Sequence, residues 1–134
     1  MYEFDCVRAH DVEEALAALE KYGDEAAVIA GGTDLHVLMR SAARRPRIVV
    51  AVAGIPGLRV LEKTGGRVQL GAALTHAEIA ADSRLGSFRA LQAAASAVGS
   101  PQIRNVGTAG GNIANASPAA DLFPPLLVLD ARVS

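Results

Sequence analysis

Two glycine couples, each beside a threonine, limit this chain more than any other feature: Ala30-Gly31-Gly32-Thr33-Asp34 and Thr108-Ala109-Gly110-Gly111-Asn112. Glycine weakens the interior of a helix or strand, so such couples belong at connections between regular elements. There they let successive backbone N–H groups point one way and let a ligand approach where a Cβ would block it. A nest of this kind, with a helix N-terminus behind it, suits phosphate oxygens, and the threonine hydroxyl adds a donor. Two nests suit a pyrophosphate. The second is the more specific, because Gly107, Gly110 and Gly111 give more freedom than one turn needs. The chain has no Gly-x-Gly-x-x-Gly fingerprint and no Gly-x-x-x-x-Gly-Lys-Ser/Thr loop, which removes the ordinary dinucleotide and P-loop readings.

The pattern around the first couple is that of a small parallel sheet. Tyr2–Val7 alternates Tyr2, Phe4 and Cys6 against Glu3 and Asp5, a strand period that predicts a buried Cys6 thiol. Asp11 with Glu14 opens a helix carrying Val12, Ala15, Leu16, Leu19 and Tyr22, and Gly23 ends it. Ala26–Ala30 reads as a strand covered on both faces, Leu35 to about Arg40 as a short helix, and Arg47–Ala53 as another buried strand. This gives β-α-β-α-β over residues 1–53.

Gly54-Ile55-Pro56-Gly57 marks a boundary, with a second unit over 58–134. Leu58–Lys63 and Arg67–Ala72 form a hairpin about Gly65-Gly66. Thr75 with Glu78 is a capping box. Phe88–Val98 is a helix with Phe88, Leu91, Ala95 and Val98 on one face, stopped by Gly99-Ser100-Pro101. Gln102–Pro118 reads as a loop. Pro118 to about Leu129 reads as a helix kinked or restarted at Pro124-Pro125, with Asp121 in its first turn.

Thirteen basic and 14 acidic residues leave a net charge of −1, which gives no electrostatic case for nucleic acid or an anionic membrane. Arg44, Arg45 and Arg47 read as a solvated loop. No apolar run is long enough to cross a bilayer and no leader opens the sequence, so membrane insertion is not expected and the cytoplasm is. Cys6 is the only cysteine, so there is no internal disulfide. His10, His36 and His76 lack metal-ligand spacing, and no nucleophile–base constellation is present; neither a metal site nor a catalytic side chain is expected. Asp34 is placed to cap the helix that follows it. Arg104 and Asn105 are candidates for phosphate, and Asn105 equally for a left-handed turn.

Both glycine segments carry a resemblance. Ala30-Gly31-Gly32-Thr33-Asp34-Leu35 resembles the first flavin loop of the FAD-binding domain of molybdenum hydroxylase flavin subunits, the xanthine dehydrogenase and carbon monoxide dehydrogenase group. The run from Ser100-Pro101-Gln102-Ile103-Arg104-Asn105 through Thr108-Ala109-Gly110-Gly111-Asn112 to Ala120-Asp121-Leu122 resembles the second, and Leu70-Gly71-Ala72 also fits. The resemblance implies an α+β, vanillyl-alcohol-oxidase-like (PCMH-type) fold: a small βαβαβ subdomain followed by the start of a larger sheet-plus-helices subdomain. It implies FAD as cofactor, held by Val28, Ile29, Ala30, Gly31, Gly32, Thr33, Asp34 and Leu35, by Thr108, Ala109, Gly110, Gly111 and Asn112, and by Asp121. The implied role is that of an FAD-dependent oxidoreductase component. Electrons would pass from a molybdenum subunit through an iron–sulfur subunit to FAD, and then to an external acceptor such as NAD or a quinone.

The family's domain is longer than this chain, which matches its first half. The sequence therefore leaves two other readings: a half-domain without flavin that pairs with another chain, self-association through an open sheet edge included, and a flavoenzyme like UDP-N-acetylenolpyruvoylglucosamine reductase. The run from Ile103 to Asp121 speaks against the latter.

Overall fold

The computed structural model describes residues 2–134, an α+β arrangement of one small parallel sheet, one hairpin and seven helices among those residues. Three strands, β1 (Asp5–Arg8), β2 (Ala26–Ile29) and β3 (Ile48–Ala51), pair in parallel in the order β1-β3-β2. Helix α1 (Val12–Tyr22) starts where Asp11 accepts from the Glu14 N–H (2.7 Å), and its Ala15 and Ala18 pack on Ile48 and Val50. Helix α2 (Leu35–Arg40) covers the opposite face, setting Leu35 and Met39 against Ala27 and Val49.

One expectation fails here. Cys6 is exposed, not buried. It pairs in register with Val49 and so lies on the α2 face, but α2 has only six residues and packs over β2 and β3. The side of the edge strand β1 that enters the core carries Val7 and Ala9 instead.

Beyond residue 53, β4 (Leu61–Thr64) and β5 (Arg67–Leu70) form an antiparallel hairpin whose turn glycines, Gly65 and Gly66, have φ of 55° and 81°. Leu58 falls in a 3₁₀ turn rather than in the hairpin. Helix α3 (His76–Ala81) carries the expected capping box between Thr75 and Glu78. Helix α4 (Arg89–Ala97) buries Leu91 and Ala95. These helices share a core of Leu61, Leu74, Ile79, Leu85, Leu91, Ala95, Ala109 and Leu122.

The stretch read as a loop is two helices, α5 (Pro101–Val106) and α6 (Ala109–Asn115). Their start signals are local: Ser100 accepts from Ile103 N–H with Pro101 in the first turn, and Thr108 accepts from Gly111 N–H. Asn105 is accordingly helical. The last helix, α7 (Phe123–Val128), is shorter than expected. Residues 118–122 form turns, so Asp121 precedes the helix, while Pro124 and Pro125 sit in its first turn, where a missing N–H is harmless.

Candidate functional site

The two glycine segments meet. Gly31 lies against the end of α5, and Thr75, just before α3, makes a β-bridge to Thr108, just before α6. Between the two loops opens a cleft of about 970 Å³. That is near the top of the range of roughly 300–1,000 Å³ for small-molecule sites.

The first loop faces this cleft along its length, from Val28 through Leu35. Gly32 adopts a left-handed φ of 73°, which turns the chain from β2 into α2. None of the backbone N–H groups from Gly31 to Leu35 donates to an acceptor among the described residues. A row of free donors is therefore left at the head of a helix. Asp34 occupies the N-cap position of α2, but its carboxylate makes no capping bond, contrary to expectation. Its contact is with the Thr33 hydroxyl, which donates to Oδ2 at 3.5 Å.

The second loop is built differently. Ala109 N–H donates to Leu74 O (2.9 Å), Gly110 N–H to Ala72 O (2.8 Å), Gly111 N–H to Thr108 Oγ1 (3.1 Å) and Asn112 N–H to Thr108 O (3.0 Å). These donors are already engaged. The glycine at 110 serves close packing, since a Cβ there would stand 2.7 Å from the Ala72 methyl. Thr108, Gly110, Gly111 and Asn112 line the cleft. Ala109 is buried behind them, and Asp121 is exposed and does not line it.

Other residues reach the cleft that the sequence did not single out. Arg44 stands on it and brings a cation. His76 also lines it, 2% exposed, and desolvation lowers its pKa from 6.5 against the opposing charges of Asp121 and Asp34. Arg104, by contrast, turns toward the end of α4, donating to Val98 O and Gly99 O at 3.0 Å each. Among the described residues no group of three His, Cys, Asp or Glu is arranged to hold a metal ion, and no helix is long and apolar enough to cross a membrane.

The chemistry of this lining fits a dinucleotide bearing a pyrophosphate and sugar hydroxyls. It offers free N–H donors on one wall, a cation, apolar side chains such as Leu38 and Ile103, and two buried polar atoms without partners, His76 Nδ1 and Asn112 Oδ1.

Comparison with known proteins points the same way. Residues 2–134 match the family described as the FAD binding domain in molybdopterin dehydrogenase. The chain is 39% identical over 132 residues to the 6-hydroxypseudooxynicotine dehydrogenase complex subunit alpha of Paenarthrobacter nicotinovorans, covering 98% of this chain and 45% of that protein. It is 37% identical to the nicotinate dehydrogenase FAD-subunit of Eubacterium barkeri, covering 99% of this chain and 46% of that subunit. A solved carbon monoxide dehydrogenase from Hydrogenophaga pseudoflava superposes with a TM-score of 0.87 at 30% identity, over 90% of this chain and 42% of that one. The chain thus spans less than half the length of these relatives. With both loops on one cleft and the match running over residues 2–134, the chain belongs to the family of FAD-binding domains of molybdopterin dehydrogenases.

Proposed function

We propose that the chain is the cofactor-gripping half of an electron-transfer flavin subunit that works beside an iron–sulfur subunit and a molybdenum subunit. The observation that carries this reading is the meeting of two glycine loops on one cleft, one of them with its backbone donors free. Support also comes from the relatives, which are named as subunits of dehydrogenases, the E. barkeri one as an FAD-subunit. In this reading residues 1–53 and 58–134 are two subdomains of a PCMH-type fold, and the protein works in the cytoplasm.

FAD, when bound, supplies reversible redox chemistry; the residues supply binding, orientation and electrostatics. The N–H groups of Gly31, Gly32, Thr33, Asp34 and Leu35 would hold the pyrophosphate, because they are free donors at a helix start. Arg44 would balance its charge. Val28, Ile29 and Ala30 form the adjoining wall. Thr108, Gly110, Gly111 and Asn112 form the opposite one, with Ala109 anchoring it through Leu74 O. Asp121, exposed at the end of this region, would meet the cofactor from outside the present cleft. No side chain is assigned a chemical step. The electrons would come from substrate oxidation at the molybdenum subunit and leave to an external acceptor.

Titration of cofactor-depleted complete subunit with FAD, followed by quenching of flavin fluorescence, tests the reading. Saturable one-to-one binding, weakened by Arg44→Ala, is expected. Absence of saturable binding would overturn it.

A further inference from the structure

The buried polar atoms of this protein point to a contact that the free N–H groups of the first glycine loop do not supply. His76 opens α3 directly after the Thr75 cap, and its backbone N–H is fixed to Gly107 O at 3.0 Å. Its ring packs on Gly107, where a Cβ would come within 3.1 Å of Cδ2. The ring is thus inserted between α3 and the turn that begins α6, and it faces the cleft.

Nδ1 of this ring is buried and has no hydrogen-bond partner. A buried polar atom left unpaired costs free energy, and such atoms in native proteins nearly always find a partner. Asn112 Oδ1 is the only other such side-chain atom among the described residues, and Asn112 lines the same cleft. Two residues that line one cleft, from different elements, thus each keep a buried side-chain atom without a partner, which is where a group on a bound ligand would supply one.

The chemistry narrows that group. Asn112 Oδ1 accepts and cannot donate, so an unprotonated phosphate oxygen, also an acceptor, cannot pair with it. Burial disfavours the imidazolium, and a neutral imidazole offers one donor and one acceptor nitrogen. A hydroxyl serves both atoms when it donates its one proton to Asn112 Oδ1 and accepts from the protonated Nδ1 of the neutral imidazole. Phosphate has its own donors on the facing loop.

We propose that His76, together with Asn112, binds a sugar hydroxyl of FAD, on the ribityl chain or the adenosine ribose. The proposal rests on the FAD reading of the cleft.

The test compares wild type, His76→Leu and His76→Asn in the cofactor-depleted complete subunit, titrated with FAD, with ADP and with inorganic pyrophosphate. Loss of a buried hydrogen bond is expected to weaken FAD binding about tenfold in His76→Leu. His76→Asn, which keeps a polar atom near the Nδ1 position, is expected to recover part of it. Pyrophosphate binding, measured by competition, is expected to be unchanged. If FAD weakens and ADP does not, the hydroxyl is on the ribityl chain; if both weaken, it is on the ribose. Unchanged FAD affinity in His76→Leu overturns the proposal and leaves the cleft reading standing. So does an equal loss for pyrophosphate. Failure of wild type to bind FAD overturns both. Should His76→Leu not fold, His76→Asn decides: its affinity must fall below wild type for FAD and not for pyrophosphate.

Discussion

Gly31 lies so close to Val106 that a β-carbon on it would stand 1.9 Å from the Val106 carbonyl oxygen. The first glycine loop thereby meets the end of α5 backbone to backbone at Gly31, beside the cleft that both loops line. The glycine is needed at this position whether or not a ligand is bound.

Gly31→Ala should therefore disturb the fold as well as the site. The alternative to overlap is to push the first loop away from α5, and overpacking of this kind typically costs about 1–3 kcal/mol. Thermal unfolding should show a lower midpoint, and the purified variant should carry less FAD. An unchanged midpoint would mean that the two loops are less tightly docked than the Gly31–Val106 contact requires.

Gly111 makes the contrasting case. It lies inside α6 and lines the cleft, and beyond its chain neighbours and its own helix backbone the one atom among the described residues that a Cβ would meet within 4 Å is Thr108 Oγ1, at 3.0 Å. Replacing a helical glycine by alanine typically gains up to about 1 kcal/mol, which offsets this contact. Gly111→Ala should keep its unfolding midpoint within about 1 kcal/mol of wild type, whereas Gly111→Val, with a branched side chain, should lose FAD while remaining folded. Unchanged FAD content in Gly111→Val would place the cofactor away from this wall.

Signals that span three or four residues were legible in the sequence. The capping box of Thr75 and Glu78, the Asp11 cap and the Gly65-Gly66 hairpin all stand where the residues indicate. The glycine couples also marked the cleft, because a demand for close approach shows in composition. Helices α5 and α6 are missed even though their caps, Ser100 with Pro101 and Thr108, are equally local, because the Gly-, Asn- and Ser-rich composition of 102–118 outweighs them. Glycine and asparagine at 110–112 oppose a helix, and the tertiary acceptors Leu74 O and Ala72 O help fix its first turn. Cys6 was misjudged because alternation gives the two faces of a strand but not which of them a neighbouring helix covers. His76 and Arg44 reach the cleft only through long-range packing, so no local pattern points to them.

Gln92 is another residue whose role is set by packing. From α4 the two N–H groups of its Nε2 are shared among the carbonyls of Ile79, Ala80 and Asp82, at 3.3, 3.1 and 2.9 Å, and so close the end of α3. Gln92→Leu removes that donor and leaves partly buried carbonyls without it. A loss of about 1–3 kcal/mol is expected by urea unfolding. FAD affinity should stay within about twofold, well under the tenfold that 1.4 kcal/mol represents, because Gln92 does not line the cleft. A large loss of affinity would show that α3, and with it His76, depends on this clasp for its position.

His76 gives the apoprotein a pH dependence with a definite sign. Burial lowers its pKa below 6.5, and Asp121 and Asp34 oppose the shift without reversing it. In the unfolded chain the imidazole takes up a proton as pH falls past 6.5, while in the folded chain it stays neutral to lower pH. The unfolded state then binds more protons, so stability rises with pH across this window and is lost as pH falls from 6.5 toward the folded pKa. Carboxylates such as Asp82, held down to about 2 chiefly by its hydrogen bonds with Arg84, lose their contribution only at lower pH, from 3.8 toward 2. The two effects therefore separate on a pH axis. Unfolding midpoints of cofactor-depleted protein measured from pH 7.5 to pH 5 should fall for wild type, and fall less for His76→Leu, which lacks this buried imidazole. Parallel curves for the two proteins would mean that the ring takes up its proton as readily in the folded state as in the unfolded one.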